Sequence, residues 1–371
     1  MHSDVIFVLV VGTALAFDFT NGFHDTANVV ATSISTRALP PRVAIGLASL
    51  LNFAGAFISL KVAATVGKGI VDAGSVTGHP TIVFAGLVGA IAWNVITWYY
   101  GLPSSSSHAL IGGVVGATLA AVGSGAVMSH GLLGKVVVPG LVAPLLAFLV
   151  AAIAIIAAYR IVGRLRPGPV GSGFRAGQVV SGGMLALAHG TNDAQKTMGV
   201  IGLALVAHGD ISASHFQIPE WVVISAATAI ALGTYAGGWR IIRTMGSRII
   251  KMDSAQGFAA QGSGAAVILA ASHVGFPLST THVISGGVMG AGAAKRLSAV
   301  RWGVAGNIVL AWLLTIPAAG GFGAIVYGIT RAFGVNSEAG PVIVSAAILL
   351  GTALVFARRV RRGSPLTAAE T

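Results

Sequence analysis

The chain has 371 residues, 55% hydrophobic and only 9% charged, with no cysteine and a formal net charge of +12. Soluble domains carry about 25% charged residues, so this composition excludes an ordinary soluble fold, and the missing cysteines exclude disulfide scaffolds and thiolate metal sites. The excess positive charge does not form a nucleic-acid surface, because it is divided into short clusters between apolar runs.

A helix needs about 20 apolar residues to cross a bilayer. Runs near 5–36, 42–66, 81–100, 103–122, 136–158, 177–206, 219–238, 255–273, 278–294, 301–331 and 338–357 meet that need. They predict an all-α polytopic membrane protein with about 11 membrane segments. Ala14-Leu15-Ala16 resembles a signal-peptide cleavage site, but Met1-His2-Ser3-Asp4 has no Lys or Arg, so the first run is read as a retained segment.

Within that first run lie Asp18 and the stretch GFHDTAN (22–28), which contains His24, Asp25 and Asn28. Residues 101–117 then read GLPSSSSHALIGGVVGA. Proline followed by hydroxyls suits a helix N-terminus, and free N–H groups beside hydroxyls suit an anion. Residues 160–177, short, basic and rich in Gly and Pro, read as a cytoplasmic connector loop. After it the chain repeats itself. GTNDAQK (190–196), with Asn192, Asp193 and Lys196, matches the first acidic stretch at an offset of 168 (190 − 22). GFPLSTTHVISGGVMGA (275–291) matches the hydroxyl motif at an offset of 174 (275 − 101).

Matching order and offsets point to duplication. Five segments separate the two starts, an odd number, so the copies enter the membrane from opposite sides: an inverted-topology repeat with discontinuous or hairpin helices, as in secondary transporters. The predicted divisions are 1–159, the connector 160–177, 178–335, and a final segment with a basic tail, 336–371. With the N-terminus outside, five basic clusters (Arg37/Arg42; Arg160–Arg175; Arg240–Lys251; Lys295–Arg301; Arg358–Arg362) fall on the cytoplasmic side, which predicts a cytoplasmic C-terminus.

Ionisable groups inside hydrophobic segments mark functional sites. Only Asp18, Asp25 and Asp193 among the ten acids do so. A carboxylate beside imidazole or amide groups suits a small hard cation or a proton, and Gly22 and Gly190 suit local unwinding. Lys196 stands where the first copy has Asn28. It shares a helical face with Asp193 and either replaces a bound cation or touches an anionic substrate. The two hydroxyl motifs, Ser105–Ser107 and Ser279–Thr281, can clasp one tetrahedral oxyanion. His108 and His282 suit either structural hydrogen bonds or proton movement. No metal cluster and no catalytic triad is visible, so the chain reads as a non-enzyme. A sulfate permease and a passive anion channel are the rival readings.

NGFHDTANVVATSISTRAL (21–39), LAHGTNDAQKTMGVIGLAL (187–205) and the two P-x-S-x-x-H motifs resemble the inorganic phosphate transporter (PiT) family over residues 5–320. The resemblance implies a phosphate symporter of the plasma membrane, commonly a homodimer, driven by protons or sodium and without a cofactor. It implies phosphate between Ser105, Ser106, Ser107 and Ser279, Thr280, Thr281, with coupling ions near Asp25, Asn28 and Asp193. Sodium-coupled members resemble G-x-N-D-x-x-N in both halves. Here His24 and Lys196 depart from it, which is similar to the bacterial proton-coupled branch that takes phosphate as a neutral metal–phosphate complex.

Overall fold

The computed structural model describes residues 4–335 and 337–361, and every named element in it is helical. The end of the basic tail, from Arg362 to Thr371, lies outside the described residues. In chain order the helices are α1 (Asp4–Ser35), α2 (Pro41–Gly55), α3 (Lys61–Gly69), α4 (Pro80–Tyr100), α5 (Ser106–Val122), α6 (Ser129–Leu132), α7 (Val138–Val162), α8 (Pro167–His208), α9 (Glu220–Ala236), α10 (Trp239–Arg243), α11 (Ser254–His273), α12 (Thr280–Lys295), α13 (Trp302–Arg331) and α14 (Ala339–Arg361).

Among the described residues, four stretches are long and apolar enough to cross a membrane: α1, α4, α13 and the continuous run Ser129–Val162. A fifth is the pair Glu220–Ala236 and Trp239–Arg248, bent by 62°. The other predicted segments are helical too, but they carry buried polar side chains or are short, so length and hydropathy do not mark them as spans. The run 42–66 is divided into α2 and α3, with Ala56–Leu60 non-helical between them.

Two local expectations are corrected. The connector 160–177 is not a loop: α7 continues to Val162, and α8 starts at Pro167. Its prolines fall in the first turn, where a missing N–H breaks no intrahelical bond, and only Gly163–Arg166 is left to turn. Gly22 and Gly190 do not unwind their helices either, since α1 and α8 run through them unbroken. They admit a neighbour instead. A Cβ on Gly22 would lie 2.2 Å from the Ile230 carbonyl oxygen of α9, and one on Gly190 would lie 2.1 Å from the Asn52 carbonyl oxygen of α2.

The same pairing recurs around the hydroxyl-motif helices. Gly116 of α5 lies against Gly320 of α13, and Gly290 of α12 against Phe148 of α7. Small residues let backbones touch where lipid provides no hydrophobic drive between helices. Besides a small apolar core around Ile155, two large ones result among the described residues. One joins the first half of α1 to α3, α4, α5 and the second half of α8; the other joins α2, α7, α10, α11 and α12. Between them a polar band is buried on α1, from Asp18 to Ser33, and on α8, from His189 to Thr197.

A Cβ at Gly116 would sit 2.1 Å from the Gly320 carbonyl oxygen, whereas Gly321 has nothing within 4 Å. Gly116→Ala is therefore expected to cost about 1–3 kcal/mol by overpacking. Gly321→Ala is expected to leave the unfolding midpoint of detergent-solubilised protein unchanged or slightly raised. Equal midpoints for the two variants would contradict the close packing.

Candidate functional site

The polar band on α1 follows a helical face. Asp18, Asn21, Asp25 and Asn28 are spaced by three and four residues, and so are His189, Asn192 or Asp193, and Lys196 on α8. Against these faces stand the starts of α5 and α12. Ser105 and Ser279 are their N-caps, accepting from the backbone N–H of His108 (3.1 Å) and His282 (3.2 Å). Capping leaves Ser106, Thr280 and Thr281 turned to the acids and Ser107 to Lys196.

Asp25 accepts from Ser106 Oγ at 2.6 Å and lies 3.5 Å from the hydroxyls of both Thr280 and Thr281. Asn21 Oδ1 shares the Ser106 hydroxyl at 2.7 Å. Asn28 donates to Thr281 (2.9 Å) and Thr280 (3.4 Å). Asp193 accepts from Thr280 at 3.2 Å. Thr280 thus stands between the two aspartates.

Lys196 is 1% exposed. Its Nζ donates to Asp193 Oδ1 (2.6 Å), Ser107 Oγ (2.5 Å) and the Leu278 carbonyl oxygen (2.5 Å). An ammonium has three donors, and each has an oxygen here.

Each aspartate also has its own imidazole. His24 Nδ1 lies 2.6 Å from Asp25 Oδ1, and its Nε2 lies 3.2 Å from Thr97 Oγ1. That hydroxyl donates to the Trp93 carbonyl and accepts from Ser104, so it faces His24 as an acceptor. His189 Nε2 lies 3.2 Å from Asp193 Oδ2, off the hydrogen-bonding direction, and its Nδ1 lies 3.1 Å from Asn52 Oδ1. Asn52 is fixed in that sense, because its amide donates to a Thr234 hydroxyl that itself donates to the Ile230 carbonyl. His24 therefore has an oxygen acceptor at each nitrogen, whereas His189 has one at Nδ1 alone.

The structure brings together Asp25, Asn28, Asp193, Lys196, Ser106, Ser107, Thr280 and Thr281, with His24 beside Asp25. Ser105 and Ser279 lie at the edge as caps. Asn192 is not in the cluster. Its amide donates to Ser272 Oγ (2.7 Å) and the Phe276 carbonyl (3.2 Å), holding the turn before the second motif. One residue along a helix turns about 100°, which separates Asn192 from Asp193. His189, Asn21, Thr97 and Asn52 belong to the network but were not singled out in the sequence. For His189 the i−4 relation to Asp193 is the available signal. Ligand atoms of Asp25, His189 and Asp193, far apart in the sequence, also lie within 4.8 Å of one another. Asp18 is fully buried next to Thr197 and Asn21, and neither carboxylate oxygen has a hydrogen-bond partner among the described residues.

The carboxylates of Asp25 and Asp193 thus share one ammonium, and Asp18 is buried nearby without a partner. An anion entering this site adds to the unbalanced charge unless protons or cations enter with it.

The family model described as the phosphate transporter family matches residues 21–170 and 164–323. A probable low-affinity inorganic phosphate transporter of Mycobacterium bovis is 53% identical over 357 residues, which is 96% of this chain and 84% of the relative. One of Bacillus subtilis is 44% identical over 323 residues, 87% of this chain and 96% of the relative. Among solved structures, one titled as the sodium-dependent phosphate transporter superposes with a TM-score of 0.79 at 25% identity. It covers 88% of this chain and 99% of that one.

Removing one partner of a buried ion pair costs about 3–5 kcal/mol. Lys196→Met is expected to lower the unfolding free energy by that order, and adding Asp193→Asn to recover most of the loss. A double variant as unstable as the sum of its singles would show that the pair is not coupled.

Proposed function

The chain belongs to the phosphate transporter family, and on that premise we propose that it imports inorganic phosphate across the plasma membrane as a proton symporter. The observation that carries symport is the charge of the buried site: Asp25 and Asp193 against the single ammonium of Lys196, all 1% exposed or less. Phosphate is itself anionic, so its binding here requires positive charge to arrive with it.

In this reading Ser106, Ser107, Thr280 and Thr281 hold phosphate, helped by the N-termini that Ser105 and Ser279 cap. Asp25 with His24, and Asp193 with His189, carry the coupling protons. Lys196 supplies a permanent cation in the second half, while Asn28 stays neutral in the first. The hydroxyls now donating to carboxylates turn to phosphate oxygens when the carboxylates are protonated. A neutral metal–phosphate complex is a compatible cargo, since it relieves the same charge.

The architecture proposed with this function is an inverted repeat, 1–159 and 178–335, of about five segments each, within eleven membrane segments. Equivalent pairs support it: Gly22 packs on α9 as Gly190 packs on α2, and α5 packs on α13 as α12 packs on α7. The N-terminus is placed outside and the C-terminus in the cytoplasm, by the clustering of basic residues. A homodimer in the bilayer completes the proposal.

Sodium coupling is the second reading. It is favoured by the 4.8 Å grouping of Asp25, His189 and Asp193 and by the sodium-dependent neighbour in fold. Labelled phosphate uptake into proteoliposomes separates the two. An inward proton gradient alone is expected to drive accumulation, and Asp193→Asn to reduce it to the level of empty liposomes. Lys196→Asn, which restores the residue of the first half, is expected to make uptake respond to sodium. Accumulation by the unaltered protein only with a sodium gradient would refute proton coupling.

A further inference from the structure

A second cluster of positive charge lies outside the buried site. A cavity of about 530 Å3 opens where the end of α4 meets α10, and it is lined by Arg240, Arg243 and Arg248 beside Tyr99, Trp239 and Ile34. No acidic side chain lines it.

The three arginines converge for identifiable reasons. Arg240 is held in place: Nη1 donates to the Tyr99 carbonyl at 2.5 Å, and the guanidinium lies 5.4 Å from the Trp98 ring centroid and 5.0 Å from that of Tyr99. One of its five N–H groups is engaged by that bond, and the rest remain for a ligand. Arg243 ends α10 and Arg248 ends the π-helical turn Thr244–Arg248 that follows it, and both line the cavity. The turn is packed tightly on α1, where a Cβ on Gly246 would lie 2.8 Å from the Ala31 carbonyl oxygen, and is tied by Thr244 Oγ1 to the Gly101 carbonyl at 2.9 Å.

Gly101 opens the segment that leads through Pro103 to Ser104–Ser107. Ile34 lies six residues beyond Asn28 on α1, about 9 Å along the helix axis. Both segments lead from the lining of the cavity to residues of the buried site.

We propose that this cavity binds a phosphate group from the arginine-rich face of the membrane. Guanidinium forks match phosphate oxygens in pairs, and a cavity walled by one sign of charge concentrates its counter-ion. The phosphate comes either from free inorganic phosphate leaving the transport site or from the headgroup of an anionic lipid. The first source rests on the transport reading above, and the second does not.

The test uses the full chain with Arg243→Gln and Arg248→Gln together, leaving Arg240 and its ring contacts intact, and Arg243→Lys with Arg248→Lys as the charge-preserving control. In sided phosphatidylcholine proteoliposomes, free phosphate as ligand predicts a roughly tenfold rise in half-saturation from the arginine face, with the opposite face unchanged. In nanodiscs, a lipid headgroup as ligand predicts that phosphatidylglycerol raises the thermal midpoint of the unaltered protein and of the Lys control, but not of the Gln variant. Either result supports the site. A Gln variant equal to the unaltered protein in both arms overturns it. An unaltered protein without uptake refutes the transport reading alone, because the nanodisc arm and inorganic phosphate added to phosphatidylcholine nanodiscs still read the cavity.

Discussion

The constraint on which the molecule turns is the burial of the Lys196 ammonium beside Asp193. Removing such ions from water costs several kcal/mol each, and their attraction offsets it only when every donor is matched. Here the matching oxygens come from three elements: Asp193 on α8, Ser107 in the first turn of α5, and the Leu278 carbonyl just before α12. One side chain therefore fixes where both hydroxyl-motif helices start. Asp25 does the same from α1 through Ser106 and Thr281. The glycine crossings are what let α1 and α8 be held close enough for these contacts, since a methyl group at Gly22 or Gly190 would overlap backbone.

The two halves use this geometry unequally. Three residues after its aspartate, the first half has Asn28, which reaches the threonines of the second motif. At the equivalent place the second half has Lys196, which reaches a serine of the first. The crosswise pattern is shared, and the charge is not. A neutral amide leaves Asp25 with His24 and hydroxyl donors only, whereas Asp193 has a full positive charge at 2.6 Å. Two acids of like origin are thus placed in unlike fields, and Asp25 is the one for which an added proton or cation is the missing counter-charge.

Much of this was legible in the residues, and what was not has physical reasons. The apolar runs are mostly helical, with 42–66 interrupted at Ala56–Leu60, because a chain with 9% charge has few other ways to satisfy its backbone in lipid. The motif aspartates and four motif hydroxyls were legible because duplication wrote them twice, and Lys196 because it breaks the repeat where the first copy has Asn28. His189 and Asn52 escaped, since their roles depend on α2 crossing α8 at Gly190, which no local pattern announces. Asn192 was placed in the cluster because sequence adjacency to Asp193 hides a turn of about 100°. The connector at 160–177 misled for a related reason: Pro and Gly signal a loop by composition, but prolines in a first turn begin a helix. A glycine that unwinds a helix and a glycine that admits a neighbour are the same letter.

The proposed coupling follows from one set of donors facing two kinds of acceptor. The hydroxyls of Ser106, Thr280 and Thr281 each have one proton to donate, and in this arrangement all are directed toward Asp25, Asn21 or Asp193. A carboxylate is a strong acceptor when ionised and a weaker one when protonated. Protonating Asp25 or Asp193 therefore releases those donors, lowers the local negative charge, and favours a phosphate whose oxygens can take the same hydroxyls. Reciprocity requires the converse: bound phosphate raises the affinity of the carboxyl groups for protons by the same factor. Symport on this reading needs no separate signal between an ion site and a substrate site, because the two compete for the same three hydroxyls and share one electrostatic balance.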